Sequence, residues 1–422
     1  MVPCASIALA LLLLPNGPLS GLIGAEAVQA QRQQSAPAAG TASAARKTIE
    51  VKRAPARVIK DPNSSFSAVA VDVAHNEIVL QDENLGQIMV YGRSENTPPR
   101  ASLTEPKRII GGSATKVAMN CGVYVDPESG DIYNVNGDTM DWLTVWTREQ
   151  KGNVPASREL AAPHRAFSVT VDEEAKEMFV SIQHPAAVVV WAKMAKGNDA
   201  PIRILEGERT MLAEAQGVAV DTKNQLLYVS NQGGYAKAKD NIGWARALQP
   251  GSSTWKIPDR LLDMVPGSGV FLDPSINVYP LKAKGDTPPI RRIQGSLTRL
   301  NWPAHISLDV EHQELYVANP VTHEISVFRA TDSGNVAPVR SLKGPHTQLS
   351  YPHGVFVDTK NDEVVVANFG NHSSTIYRRT ASGDAAPVRQ IRSAPADAPA
   401  PMFGNIGSTT YDTKRNEFLT FN

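Results

Sequence analysis

One short motif recurs seven times along the chain: three mostly β-branched or aromatic residues closed by an aspartate. It stands at Val69-Ala70-Val71-Asp72, Val123-Tyr124-Val125-Asp126, Val169-Thr170-Val171-Asp172, Val218-Ala219-Val220-Asp221, Ile306-Ser307-Leu308-Asp309, Val355-Phe356-Val357-Asp358 and Thr409-Thr410-Tyr411-Asp412. The aspartates are 54, 46, 49, 88, 49 and 54 residues apart. A repeat of this length, built from short strands, is one supersecondary unit that needs neighbours on both sides to bury its faces.

Each unit reads as four strands. After the aspartate comes a polar turn such as Thr359-Lys360-Asn361. A second strand follows, as in Leu227-Tyr228-Val229-Ser230-Asn231, Leu315-Tyr316-Val317-Ala318-Asn319 and Val364-Val365-Val366-Ala367-Asn368. The third is short and apolar, for example Val188-Val189-Val190-Trp191. A Gly-Asn or Gly-Asp turn then leads to a fourth strand carrying Pro-x-Arg. Inner strands that are apolar on both sides suit a sheet sandwiched between two others. The expectation is an all-β, seven-bladed propeller. Thr48–Lys60 supplies the third and fourth strands of a last unit and Thr409–Asn422 the first and second, so both termini would share one composite blade; six blades is the alternative. The 88-residue step is one unit plus an insertion, about 232–275, in the fourth blade.

The strings LYVSN, LYVAN and VVVAN resemble the signature of YVTN-type surface propellers, and the Gly-Val-x-Val-Asp openings resemble NHL repeats. The resemblance covers residues 48–422 and implies the propeller fold. Such propellers include binding modules, lactonases and lyases, so the fold leaves the activity open.

Residues 1–30 are a different material. Ile7–Leu14 is an apolar run of signal-peptide type, followed by small residues at Ala25-Glu26-Ala27 and Val28-Gln29-Ala30, although no Lys or Arg precedes it. Residues 31–47 read as a disordered leader. Export would place the mature protein in the periplasm, at the cell surface or outside the cell. No other window approaches the apolar length of a spanning helix. With 42 basic and 42 acidic residues, the chain carries no electrostatic footprint for nucleic acid. Cys121, alone once Cys4 leaves with the signal, reads as a small buried hydrophobe.

Function is sought where the repeat breaks. Four residues before each aspartate stand Ala68, Gly122, Ser168, Gly217, His305, Gly354 and Ser408. The position is small except at His305. One place earlier stand Ser67, Cys121, Phe167, Gln216, Ala304, His353 and Gly407. His305 and His353 therefore share a level in adjacent blades and are the catalytic and divalent-metal candidates; two imidazoles fall short of the three ligands of a catalytic zinc. The insertion brings Trp244, Arg246, Trp255 and Lys256 to the same face. With Gln216 they are the candidate ligand-binding residues, suited to a protein, a glycan or a small molecule. The leading expectation is an exported binding module for a protein, glycan or envelope component. The alternatives are a metal-dependent lactonase or lyase at the channel mouth, or a structural surface-layer repeat protein. The recurrent arginines 57, 108, 158, 203, 291, 340 and 389 read as charges protecting outer edges, and the recurrent aspartates as turn caps.

Overall fold

The structure, a computed structural model, describes residues 61–137, 140–236, 270–398 and 400, with the backbone of the strands Thr409–Asp412 and Glu417–Thr420. These residues form six four-stranded antiparallel blades, each ordered from its innermost strand outwards. The innermost strands are Phe66–Asp72, Asn120–Val125, Ala166–Asp172, Ala215–Asp221, Ile306–Asp309 and Pro352–Asp358, for blades 1 to 6. Among the described residues no helix is long and apolar enough to cross a membrane.

Every blade interior alternates between two neighbours. In blade 3, Ala187, Val189 and Trp191 pack towards blade 2, while Val188 and Val190 pack towards blade 4. This is why the third strand reads as an unbroken apolar run. One buried cluster fills each junction, and the cluster between blades 6 and 1 joins Phe66, Val69 and Tyr91 to Val365, Ile376 and Ile391. The ring thus closes at six, the smaller of the two counts the sequence allows. The C-terminal half of the composite blade, its expected first and second strands, is present as a two-stranded sheet, Thr409–Asp412 with Glu417–Thr420. Its other half, residues 48–60, lies outside the described residues, as do the leader and the signal-like segment. Blade 1 meets blade 6 without that composite blade between them.

The recurrent aspartates cap turns, as expected. Asp72, Asp172, Asp221, Asp309 and Asp358 each accept the backbone N–H three residues on, and Asp126 accepts those two and three residues on, from Glu128 and Ser129. The arginines depart from expectation. They fold inwards: Arg108 and Arg389 each grip one carboxylate, Glu77 and Glu363, with two nitrogens, and Arg291 bonds Tyr228 and the Ala330 carbonyl of the next blade. Arg57 lies outside the described residues. A circle of cations ties each blade to the one before it at five of the six junctions: Arg148–Glu77 3.4 Å, Lys193–Asp126 2.5 Å, Lys282–Glu177 2.7 Å, Arg379–Glu314 3.1 Å and, across the closure, Arg93–Glu363 2.7 Å.

The Gly-Asn and Gly-Asp turns also do more than join strands. Gly152, Gly197, Gly285, Gly334 and Gly383 each form a parallel bridge to the outer strand of the preceding blade. The next side chain then receives an N–H from a short 3-10 turn there: Asn153 from Ala114, Asp286 from Arg209, Asn335 from Leu297 and Asp384 from His346.

Candidate functional site

The innermost strands carry a bulge near their start. Register slips between Phe66 and Ala68, Asn120 and Gly122, Ala215 and Val218, and Pro352 and Gly354, with the matching slip opposite Ala166–Ser168 in blade 3. A bulge re-aims one side chain. Here it aims Phe167 and His353 to the axis, where they meet from opposite blades with ring centroids 6.3 Å apart. The following residue is small because the next blade is close. A Cβ on Gly122 would stand 2.7 Å from Ser168 Cα, and one on Gly217 2.9 Å from His305 Cα.

The structure brings His305 and His353 together, with ring centroids 5.4 Å apart in an edge-to-face arrangement. Each ring is committed to a carbonyl. Nε2 of His305 donates to the Cys121 oxygen at 2.6 Å, which crosses the channel from blade 5 to blade 2. Nδ1 of His353 donates to the Ser67 oxygen at 2.9 Å. A carbonyl only accepts, so the tautomer of each ring follows from its partner. Burial pushes both imidazoles down, His305 to about 3 and His353 to about 4. They are neutral at physiological pH, buried, and already bonded. With Phe167 they close the floor of the channel. Among the described residues no set of three His, Cys, Asp or Glu side chains is placed to hold a metal. The donor set beside His305 and His353 does not fit a three-ligand centre.

Gln216 is fully buried at the bulge of blade 4, and neither end of its amide has a partner. Its backbone oxygen accepts from Ser181. Trp244, Arg246, Trp255 and Lys256 lie outside the described residues; the hairpin Gly234–Ala236 with Val270–Leu272 flanks that segment. Cys121 is buried and its thiol faces the Met119 oxygen, in keeping with its reading as a small hydrophobe.

The other histidines of this face do not converge. They are joints between successive blades: His164 with Asp141 at 3.0 Å, His184 with Glu214 at 3.3 Å, His323 accepting from Tyr351 N at 2.8 Å, His346 with Asp384 at 2.6 Å and His372 with Asp61 at 3.1 Å.

A second ring, missed in the sequence, surrounds the channel mouth. Seven residues before the aspartate, Met119, Arg165, Glu214, Trp302 and Tyr351 adopt φ between 39° and 62°. Such angles are unusual for non-glycine residues. The carbonyl of four of them accepts the first N–H after the second strand, for instance Gln183 N to Arg165 O at 2.9 Å and Phe369 N to Tyr351 O at 3.1 Å. Arg165, Glu214, Trp302 and Tyr351 are half-buried. Phe369 lies between Tyr351 and His353, with ring centroids 6.2 and 6.3 Å away. The rim therefore presents a cation, a carboxylate paired with an imidazole, and aromatic faces above a closed floor. The sequence signal was a bulky residue at a fixed offset from five of the seven aspartates.

A family model described as "Lactonase, 7-bladed beta-propeller" matches residues 272–400, from the third strand of blade 4 to the end of blade 6. No curated protein matches the chain. Among solved structures, the chain is similar to one titled Kuenenia stuttgartiensis hydrazine synthase, at 10% identity, covering 78% of this chain and 99% of that one, with a TM-score of 0.49.

Proposed function

We propose that this propeller is an exported binding module that engages a protein, a glycan or an envelope component through the rim of its insertion-bearing face. One observation carries the reading: His305 spends its Nε2 proton on the Cys121 carbonyl across the channel. The floor is then scaffold, and the accessible chemistry is that of Arg165, Glu214, Trp302 and Tyr351. Mixed charge and aromatic area suit recognition. Kinship with NHL or YVTN repeats rests on the LYVSN, LYVAN and VVVAN strings, and export rests on residues 1–30.

The test is capture from fractionated cell envelope (soluble periplasm, peptidoglycan, membrane) by the immobilised mature protein, beside Arg165→Ala and Trp302→Ala. Specific retention of one component, lost in both variants and kept in His353→Phe, supports the reading. Equal retention by all proteins, or none, sinks it. Amino-terminal sequencing of the exported chain checks cleavage near residue 30.

A second reading, a lactonase, is favoured by the family match over residues 272–400. Its acid–base pair would be Glu214 and His184, 3.3 Å apart and both reachable from solvent. Hydrolysis of an aldonolactone panel that disappears in Glu214→Gln would replace the binding reading with this one. No turnover, with and without added divalent metal, removes it.

A further inference from the structure

The junction between blades 2 and 3 lacks a part that four others have. At those four a short 3-10 turn follows the outer strand, each just after a glycine: Ser113–Thr115, Glu208–Thr210, Ser296–Thr298 and Pro345–Thr347. The residue before each threonine donates its N–H to Asn153, Asp286, Asn335 or Asp384 of the next blade, at 2.6 to 2.7 Å. Blade 2 ends at Ala161 and passes through residues 162–165 into blade 3 with no such turn. The step from Asp126 to Asp172 is accordingly the shortest, 46 residues. A notch of about 940 Å³ opens there, lined by Trp142, Glu159, Met194, Lys196, Asn198 and Asp199. It shares no residue with the rim of Arg165, Glu214, Trp302 and Tyr351.

The walls are particular to this junction. Trp142 begins the third strand of blade 2, where the other blades have Gln87, Ala187, Ser275, Glu324 and Ser373. The one aromatic at this position stands beside the missing turn. Lys116 Nζ lies 4.5 Å from the centroid of its ring and pairs with Glu159 at 2.6 Å, which holds both walls in place. Lys116 itself does not line the notch. Asn198 occupies the position of Asn153, Asp286, Asn335 and Asp384, on a backbone fixed by Gly197 N to Glu159 O at 2.7 Å and Ala161 N to Gly197 O at 2.8 Å. Its side chain is exposed and bonds nothing among the described residues. Asp199 is set by its own turn, accepting from Lys196 N at 2.9 Å and donating its N–H to Lys196 O at 3.0 Å.

These groups define the occupant. It must both donate and accept at the Asn198 amide, donate to carboxylates, accept from an ammonium, and lay an apolar surface on an indole. Sugar hydroxyls donate and accept, and the C–H face of a sugar ring packs on an aromatic one. A charged ligand gains little, because Glu159 and Asp199 are balanced by Lys116 and Lys196. A peptide turn suits the notch less well: the four turns present elsewhere anchor by burying their threonine, whereas the walls here are mostly charged or amide groups. We infer that the notch between blades 2 and 3 binds a short segment of a neutral saccharide, stacked on Trp142 with neighbouring hydroxyls on Asn198 and Asp199. Its volume is near the upper end of the ~300–1,000 Å³ of small-molecule sites, which suits several sugar rings rather than one.

The test titrates cellotetraose, maltotetraose and chitotetraose into the full chain, read by saturation-transfer NMR. At least one should bind. Trp142→Ala should weaken it by about tenfold, and Asn198→Ala by about fivefold, the worth of one hydrogen bond. Asn198 is exposed and unbonded, so its variant folds and decides the matter even where Trp142→Ala does not fold. Lys360→Ala, on an exposed turn of blade 6, should change nothing. Three results would overturn the proposal. One is no binding by any of the three saccharides. Another is binding unchanged in Asn198→Ala, which would place the sugar elsewhere. The last is binding of acetyl-Gly-Ala-Ala-Thr-amide instead of the saccharides, lost in Asn198→Ala, which would make the notch a peptide site.

Discussion

Gly354 of blade 6 lies on Ala68 of blade 1 so closely that a Cβ on the glycine would stand 2.9 Å from the Ala68 Cα and 3.0 Å from Val69 N. The same approach joins Gly122 to blade 3 and Gly217 to blade 5. The closure of the ring is therefore an ordinary junction. Because the obstructing atoms are backbone, Gly354→Ala should cost about 1–3 kcal/mol, the usual toll of overpacking. Denaturant unfolding would measure it. Gly383→Ala, where φ is 64° and nothing lies within 4 Å, should cost only the strain of its angle, about 1 kcal/mol.

The ion pair across the closure gives a second expectation. Burial raises the Glu363 carboxyl, but Arg389 and Arg93 outweigh it and hold the group below its ordinary value. Folded below unfolded, the pair adds stability above the unfolded carboxylate range and loses it as pH falls through the folded value. Glu363→Ala leaves two partly buried guanidinium groups without their partner and should cost about 3 kcal/mol near neutrality. The difference from the parent should shrink in acid.

His305 and His353 set the slope of stability against pH from another direction. Their folded values, about 3 and about 4, lie below that of an unfolded histidine. Between those limits the unfolded chain binds the extra protons. Stability contributed by the neutral rings is whole above about pH 6.5 and falls as pH drops, by about 1.4 kcal/mol per unit for each ring. His353→Phe, which suits the neighbouring Phe167 and Phe369 rings, should remove half of this slope. Urea midpoints between pH 4 and 7 would show it.

The latches predict a local cost. Asn335→Ala withdraws the acceptor for Leu297 N and should lose about 1 kcal/mol while leaving the blade count and channel unchanged. Circular dichroism with a denaturant series is sufficient.

The architecture was legible because blade sheets are sandwiched, and sandwiching writes itself as apolar runs with a period. The aspartate caps were legible for the same local reason. The blade count was harder. The terminal half-units look alike in sequence whether or not a gap awaits them, and the direct meeting of blade 6 with blade 1, as at Gly354 and Ala68, shows that none does. His305 stood out as a break in a small position, but the break did not reveal its purpose. That depended on the Cys121 carbonyl, which is 184 residues away. The inward turn of the arginines was equally hidden, because an edge charge and a buried clamp share one residue type. The rim of positive-φ residues escaped notice because Met119, Arg165, Glu214, Trp302 and Tyr351 have no chemistry in common. They share a backbone angle.

The claim on which the functional reading rests is that the channel floor is a neutral, internally bonded plug. Nitrogen-15 imidazole NMR tests it directly. The prediction is a slowly exchanging Nε2–H on His305 at pH 7, with no titration of His305 or His353 between pH 5 and 8, and no change on adding zinc. A ring titrating near 6.5, or shifted by stoichiometric zinc, would contradict the plug and return the site to the two histidines.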